Sequence, residues 1–497
     1  MNQKITLPKL KPVQDPTGRK KILLLSDDMR MHSGIATVSR DFVIETADRF
    51  DWVQLGAAQE HPDHGKVFDI SEDVGKVKGI DNANVKIYAH TGYGTAEVLR
   101  ELIAIEKPDA ILHFTDPRFW EWLYMIEHEI RSHYKIPIMY YNIWDCPPAP
   151  YWNKSYYESC DLIMNISKQT HNLVKMVLGE NLYNDMDSNT GDGDILLSHV
   201  PHGINQYNYY PITEDSEEWE EYNKIVESFK TSHNVDFIVF WNNRNIRRKQ
   251  PGDVILAYKK FCDMLPDDKK SRVALFMHTA MLDPNGTDLP EVVRVCCPNY
   301  KVIFNEERLP TNVLNYFYNM ADITINMASN EGFGLSTAES IMSGTPVVVN
   351  VTGGLQDQIR FHNDSGEWIN FTEEFTSNHT GVYKNHGEWA KPVFPTNRSL
   401  QGSLQTPYIF DDRCDFSEVA EKILEWYNLS DTERKEAGLR GREWMISKES
   451  GMSTDEMGNR MASSMDTCLR KFSPKNKFEI YKIADRAKIT NPGIIWE

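Results

Sequence analysis

Apolar and polar positions along the chain fall into two repeating kinds of block. Short runs rich in Leu, Ile, Val and Tyr occur at KILLLS (21–26), VKIYAH (85–90), DAILHF (109–114), IPIMYYN (136–142) and DLIMNI (161–166). Each is followed by a polar turn and then by a longer stretch with helical spacing, the first opening at Gly34 with IATVSRDFVIETA and another reading TAEVLRELIAIE. Strand-length apolar runs alternating with helices predict a mostly parallel sheet covered on both faces. The alternation stops at HVPHGINQYNYYPITEDSEEWEEYNK (199–224), which is rich in turn residues and charge and is read as an inter-domain linker. It resumes at DFIVFW (236–241), RVALFM (272–277), YKVIFN (300–305), DITINM (322–327) and PVVVNV (346–351), a second domain of the same α/β class. Residues 366–415 do not alternate and read as a long aromatic loop, and two amphipathic helices follow, FSEVAEKILEWYN and DTERKEAGLRGREWMIS.

At 497 residues the chain is too long for one hydrophobic core. The expected division is 1–212, 213–470, and a tail 471–497 that packs back on the first domain. Composition changes this picture little. Hydrophobic residues make up 40% and charged residues 25%, the proportions of a soluble globular protein, and no apolar run approaches a membrane span. The first twenty residues lack the apolar core of a secretory signal. Seven scattered cysteines contain no C-x-x-C pair, which argues against a zinc site or a disulfide framework and for a reducing, cytoplasmic setting. Net charge matters more. At −18 it disfavours broad binding to nucleic acid or anionic membrane and makes any local basic cluster conspicuous.

In an open parallel sheet ligands bind at the carboxyl ends of the strands, so the residues just after each strand are the candidates for chemistry. NEGFGLSTAE (330–339) follows the strand at 322–327. Gly332 and Gly334 free backbone N–H groups, and a helix opening near Leu335 aims its positive end at the same place, a setting for phosphate. Glu339 fits a capping box with Ser336, whereas Glu331 caps nothing. WNNRNIRRKQPGD (241–253) crowds Arg244, Arg247, Arg248 and Lys249 into a turn after the strand at 236–241, either as a diphosphate clamp or as a solvated basic turn. Ser33-Gly34 opens a helix after the first strand. Asp145, in NIWDCPPAPYW (142–152), either binds an acceptor or sugar hydroxyl or nucleates a turn before Pro147.

Glu331 and Glu339 enclosing GFGL, followed by SGTPVV and by TGG (352–354), resemble the signature of the family 4 retaining glycosyltransferases, which have the GT-B fold: two Rossmann-like doubly wound domains facing across a cleft. HSGIATVSR resembles that family's acceptor loop, with Ser33 where a glycine is common, and Arg244 and Lys249 have the spacing of its phosphate-binding pair. The resemblance implies a nucleotide-diphosphate sugar as donor, a UDP-sugar first, and transfer to a hydroxyl of a saccharide or glycan. It implies that Glu331, Arg244, Lys249 and Asp145 act at the reacting centre. Gly332, Phe333, Gly334, Leu335, Glu339, Asn305 and Leu309 would hold the donor, with Glu339 on the ribose and the Asn305–Leu309 loop on the base. Ser33 and Gly34 would meet the acceptor. No cofactor and no metal is expected, the nucleotide-sugar being a co-substrate. The departure is Asp145, where many members carry a histidine. A subset of bacterial, archaeal and phage relatives shares the aspartate, and phage relatives that modify hydroxymethylated DNA bases make nucleic acid conceivable only as acceptor. Other readings are a glycosidase, a glycosyl phosphorylase, a nucleotide-sugar epimerase and a non-enzymatic nucleotide-sugar sensor.

Overall fold

A computed structural model describes residues 17–476. The first sheet has nine strands: β1 (Lys20–Asp27), β2 (Phe50–Ala58), β3 (Val67–Asp69), β4 (Val85–Thr91), β5 (Ala110–Phe114), β6 (Ile138–Asn142), β7 (Leu162–Asn165), β8 (Tyr183–Asp185) and β9 (Ile195–His199). Their order is β3-β4-β2-β1-β5-β6-β7-β9-β8, parallel throughout except where β3 runs against β4. Strands such as β1, with Ile22 to Leu25 all buried, are covered on both faces and so carry continuous apolar runs. The second sheet has six strands, all parallel: β10 (Phe237–Asn242), β11 (Val273–His278), β12 (Val302–Asn305), β13 (Ile323–Asn326), β14 (Val347–Asn350) and β15 (Ala390–Val393), in the order β12-β11-β10-β13-β14-β15.

Every strand read from the apolar runs is present, and several others are not in that reading. β2 is central, paired with both β1 and β4, yet its sequence FDWVQLGAA mixes Gln54 and Gly56 into the run. Gln54 is buried and fully used: its amide donates to Ser26 Oγ at 2.8 Å and to the Asp27 carbonyl at 2.7 Å, and it accepts from Met29 N at 3.1 Å. Gly56 makes room for Asp28, whose carboxylate would lie 2.9 Å from any Cβ there. This strand therefore shapes the loop leaving β1. Residues 366–415 are likewise not a plain loop. They supply β15 to the sheet edge and an antiparallel hairpin, β16 (Asn397–Gln401) and β17 (Ile409–Arg413).

The chain changes lobes more often than a single boundary at 212/213 allows. Helix Trp219–His233 begins inside the stretch read as linker. The last described helix (Thr454–Lys471), read as part of the second domain, packs instead on α1 (Gly34–Glu45) and β7 of the first lobe. Its Met457, Met461 and Met465 are buried, and Ser464 shares a 2.9 Å hydrogen bond with Ser198. The outgoing and returning crossings are bonded to each other, Ile204 N donating to the Met452 carbonyl at 2.8 Å and Thr454 N to the Ile204 carbonyl at 3.2 Å. Just beyond, Lys475 N donates to the Arg131 carbonyl of the first lobe at 3.2 Å. The rest of the tail lies outside the described residues. No helix among the described residues is long and apolar enough to cross a membrane.

Candidate functional site

The carboxyl ends of both sheets meet across the lobe junction. On the second lobe β13 ends at Asn326, and the chain turns through Ser329, Asn330 and Glu331 into α3 (Leu335–Met342); on the first lobe α2 (Lys168–Leu178) follows β7. Gly334 precedes α3 with φ +94 and no side chain caps the helix. The capping box read at Ser336 is therefore absent: the helix starts two residues earlier, with Gly334 in the cap position, and Ser336 Oγ stands 3.5 Å from Asn243 Oδ1. Its free backbone N–H groups remain open to an anion.

Glu331 is only 3% exposed. One carboxylate oxygen meets Lys249 Nζ and accepts from Asn326 Nδ2 at 3.2 Å, and the other lies 3.2 Å from Arg248 Nη1. Burial alone would raise this carboxyl, but Lys249 and Arg248 outweigh it and hold it at about 2. Burial in turn lowers Lys249. Arg248 Nη1 also donates to the Asn330 carbonyl at 2.7 Å, and Ser329 N donates to the Arg248 carbonyl at 2.8 Å, so the basic turn and the glutamate turn are bonded both through a side chain and through backbone.

By spacing, Lys249 pairs with Arg244. In the structure the arginine beside Lys249 is Arg248. Arg244 has a side chain 62% exposed and pairs with Asp283 at 2.9 Å. Arg244 and Lys249 are five positions apart, but a short 3-10 turn over Arg247–Lys249 rotates them to different sides. Only that turn, which the sequence does not announce, decides which arginine faces inward. The Arg244 guanidinium is solvated, so it exchanges partners at little cost.

Glu339 is half-buried on α3 and accepts from the Tyr318 hydroxyl at 2.7 Å. Burial raises its carboxyl, against the lowering effect of hydrogen bonds from Tyr318 and Tyr209. Asn305, at the end of β12, shares a 2.9 Å hydrogen bond with His278 Nδ1, and Leu309 follows, half-buried. Phe333 is buried against the His202 ring of the first lobe, centroids 5.2 Å apart. Burial pushes His202 down to about 3, so it is neutral there.

First-lobe residues face this turn directly. Ser33 caps α1, accepting from Ala36 N at 3.0 Å while donating to Asp27 Oδ2 at 2.8 Å. A Cβ on Gly34 would stand 3.1 Å from Leu335 Cδ1. Across from Gly332, a Cβ would stand 3.0 Å from the Ile143 carbonyl and 3.5 Å from Asp145 Cβ. The structure thus brings Ser33, Gly34 and Asp145 against Gly332–Leu335, with Glu331 and Lys249 behind. Asp145 accepts a 2.9 Å contact from Cys146 Sγ. Its loop is held from the second lobe by the hairpin: Phe410 N donates to the Pro147 carbonyl at 2.8 Å, and the Tyr408 hydroxyl donates to the Ala149 carbonyl at 3.2 Å. The hairpin is not legible in the sequence, and Arg248 is legible there only as one member of the basic cluster. The Ser33 to Asp27 bond was equally unseen.

A second tie between lobes involves α2. Lys168 N donates to Asp357 Oδ2 at 2.8 Å, and Lys168 Nζ donates to the Ile369 carbonyl at 2.9 Å. Burial pushes Asp357 up to about 7, against the lowering effect of Lys168. A carboxyl raised on folding stabilises the fold fully below its unfolded value and loses that contribution as pH rises through about 7. Asp357→Asn keeps the acceptor for Lys168 N and removes the titration. Its melting temperature relative to the wild type should therefore rise between pH 5 and pH 8, by about 2 °C or more. A difference constant across that range in thermal unfolding would contradict the assignment. One cluster among the described residues has metal-ligand character, His171, Asp185 and Asp187 on α2 and the β8 end. There Lys175 Nζ, 3.0 Å from Asp185 Oδ2, already supplies a positive charge.

Residues 300–377 match the family described as glycosyl transferases group 1. A 110-residue segment is 30% identical to the trehalose synthase of Pyrococcus horikoshii, covering 22% of this chain and 26% of that protein. The chain thus aligns with about a quarter of that curated relative's length. Among solved structures, the sucrose-phosphate synthase of Thermosynechococcus elongatus superposes with a TM-score of 0.60 at 14% identity, over 91% of this chain and 100% of that one. Anabaena Alr3699/HepE, solved in complex with UDP-glucose, superposes at 0.58 and 12% identity over 90% of this chain and 99% of that one.

Proposed function

We propose, for a chain that belongs to the group 1 glycosyltransferases and has the GT-B fold, that it moves a sugar from a nucleotide-diphosphate sugar to a hydroxyl of a saccharide or glycan. The observation that carries this reading is the buried Glu331, ion-paired to Lys249 and Arg248 behind a glycine turn that faces the first lobe. The UDP-glucose bound by the Anabaena neighbour favours a UDP-sugar as donor.

In this reading the donor's diphosphate lies over the Gly332–Leu335 backbone at the amino end of α3. Lys249 neutralises it, and Arg244 exchanges Asp283 for it. The loop carrying Arg244 passes that helix end, since Asn243 lies beside Ser336. Glu331 receives hydroxyls of the transferred sugar, Glu339 the ribose, and the Asn305–Leu309 loop the base. Ser33, Gly34 and Asp145 border the acceptor. The bond between the anomeric carbon and the diphosphate oxygen breaks, and a bond from that carbon to the acceptor oxygen forms on the same face. The acceptor's proton passes to the departing diphosphate. Configuration is retained, and the fixed cations and helix end meet the leaving charge without a metal.

The test is a thermal-shift panel of nucleotide-sugars, followed by mass spectrometry of incubations with donor alone, with inorganic phosphate, and with mono- and disaccharide acceptors. Glycosyl transfer with release of a nucleoside diphosphate is expected. A sugar phosphate formed only with inorganic phosphate would indicate a phosphorylase, and an isomerised donor an epimerase. Stabilisation without any consumption would indicate a sensor. If no nucleotide-sugar stabilises the protein or is consumed, the reading fails.

A further inference from the structure

The first-lobe rim of the cleft carries an aromatic surface that the donor does not use. Phe119, in the 3-10 turn after β5, stacks on Tyr93, in the loop after β4, with ring centroids 4.8 Å apart and planes 13° from parallel. Phe119 is 52% exposed. The stack is fixed from beneath. The Trp122 indole N–H donates to the Tyr93 carbonyl at 3.1 Å, and Trp120 meets the Tyr93 ring edge-on at 5.8 Å. Gly94 has φ +74, and a Cβ there would stand 2.9 Å from Leu55, so only glycine lets this loop settle. Both rings are thus in place before any ligand arrives, which spares the cost of ordering them on binding.

The surroundings are polar and acidic. Asp116 holds the Arg118 guanidinium, with Arg118 Nε 2.9 and 3.0 Å from its two oxygens. Arg118 is close enough to Asp145 to feel its charge, and Tyr93 to feel Asp27 and Asp116. Strands β4, β2, β1, β5 and β6 are neighbours in the sheet, so all these loops leave one edge, the edge that carries Ser33 and Asp145.

We propose that the Tyr93–Phe119 stack is the acceptor platform and that it takes the apolar C–H face of a carbohydrate ring, with Asp116 and Arg118 receiving its hydroxyls. The proposal rests on the glycosyltransferase reading above and adds the residues that hold and select its carbohydrate acceptor. Aromatic faces bury the apolar side of a sugar while polar groups at the rim satisfy its hydroxyls. A nucleic-acid base fits the place less well. The two rings touch face to face and leave no slot in which to clamp a base. Asp27, Asp116 and Asp145 also oppose the phosphates that would flank it.

Saturation-transfer NMR on the full chain with UDP present, using maltose, cellobiose and lactose in turn, reads this directly. At least one disaccharide should receive saturation on its ring C–H protons. Phe119→Ala should weaken that binding about tenfold, the weight of one aromatic contact, and Phe119→Trp should keep it. The proposal is overturned if no disaccharide binds the wild type, if Phe119→Ala binds it equally well, or if a 5-hydroxymethylcytosine oligonucleotide takes the saturation in its place. The UDP signal in the same samples reads the donor site separately, so its absence would count against the donor reading and not against the platform.

Discussion

Lys249→Ala should lower turnover of a UDP-sugar by about two to three orders of magnitude, the range for removing one fixed group that meets developing charge. It should also weaken the fold. Lys249 is one of two cations in contact with Glu331, and stripping one side of a buried ion pair costs up to about 3–5 kcal/mol, less here because Arg248 stays beside the carboxylate. The two effects separate in a second variant. Lys249→Met with Glu331→Gln removes this pair while Arg248 keeps the Asn330 carbonyl and solvent, and should recover part of the lost melting temperature without recovering turnover. The acid limb of stability should change as well. Glu331, held at about 2, stabilises the fold above its unfolded value of about 4.5, and that contribution is lost as pH falls toward 2. The double variant should lack this loss. Wild-type turnover in Lys249→Ala, measured by nucleoside-diphosphate release, would remove Lys249 from the reaction.

The second large effect is expected from a single methyl group. Gly353→Ala should abolish at least 99% of turnover and lower the melting temperature clearly. Gly353 has φ +49, and a Cβ there would stand 1.7 Å from the Glu331 carbonyl oxygen. Gly354 is packed the same way, with a Cβ 2.4 Å from the Gly332 carbonyl, and its N–H donates to the Glu331 carbonyl at 2.9 Å. Backbone lies on backbone here, so nothing flexible can yield, and the turn bearing Glu331 must move. A shift of about 1 Å at a reacting centre is enough for a hundredfold loss. Gly252→Ala, a nearby position where a Cβ meets nothing within 4 Å, serves as control. Near-wild-type turnover in Gly353→Ala would show that the position of Glu331 is not critical.

These two positions also show what the sequence makes readable. The TGG at 352–354 was visible as a motif, but its reason is the carbonyl of a residue some twenty positions earlier, which only the fold brings near. Parallel strands covered on both faces announce themselves as apolar runs, so most of both sheets could be read directly. β2 hid because its buried polar and glycine residues serve the neighbouring loop at Asp27–Met29. β15 and the β16–β17 hairpin hid because edge and hairpin strands carry mixed residues such as Asn397, Arg398 and Asp412. Glu331 stood out by having no local use. Glu339 did not, since the same letters suit a helix cap, and only the Tyr318 hydroxyl shows that its carboxylate is turned elsewhere. The choice between Arg244 and Arg248 depended on the twist of three residues, below what spacing resolves.

The paired crossings at Ile204 and Met452–Thr454 have a mechanical meaning. Because outgoing and returning chain are stitched to one another, they flex as one ribbon, much like the leather of a book's spine. A swing of one cover against the other would leave these two bonds intact, whereas shearing the crossings past each other would break them. Severing the chain at either crossing alone would leave the halves still tethered by the other.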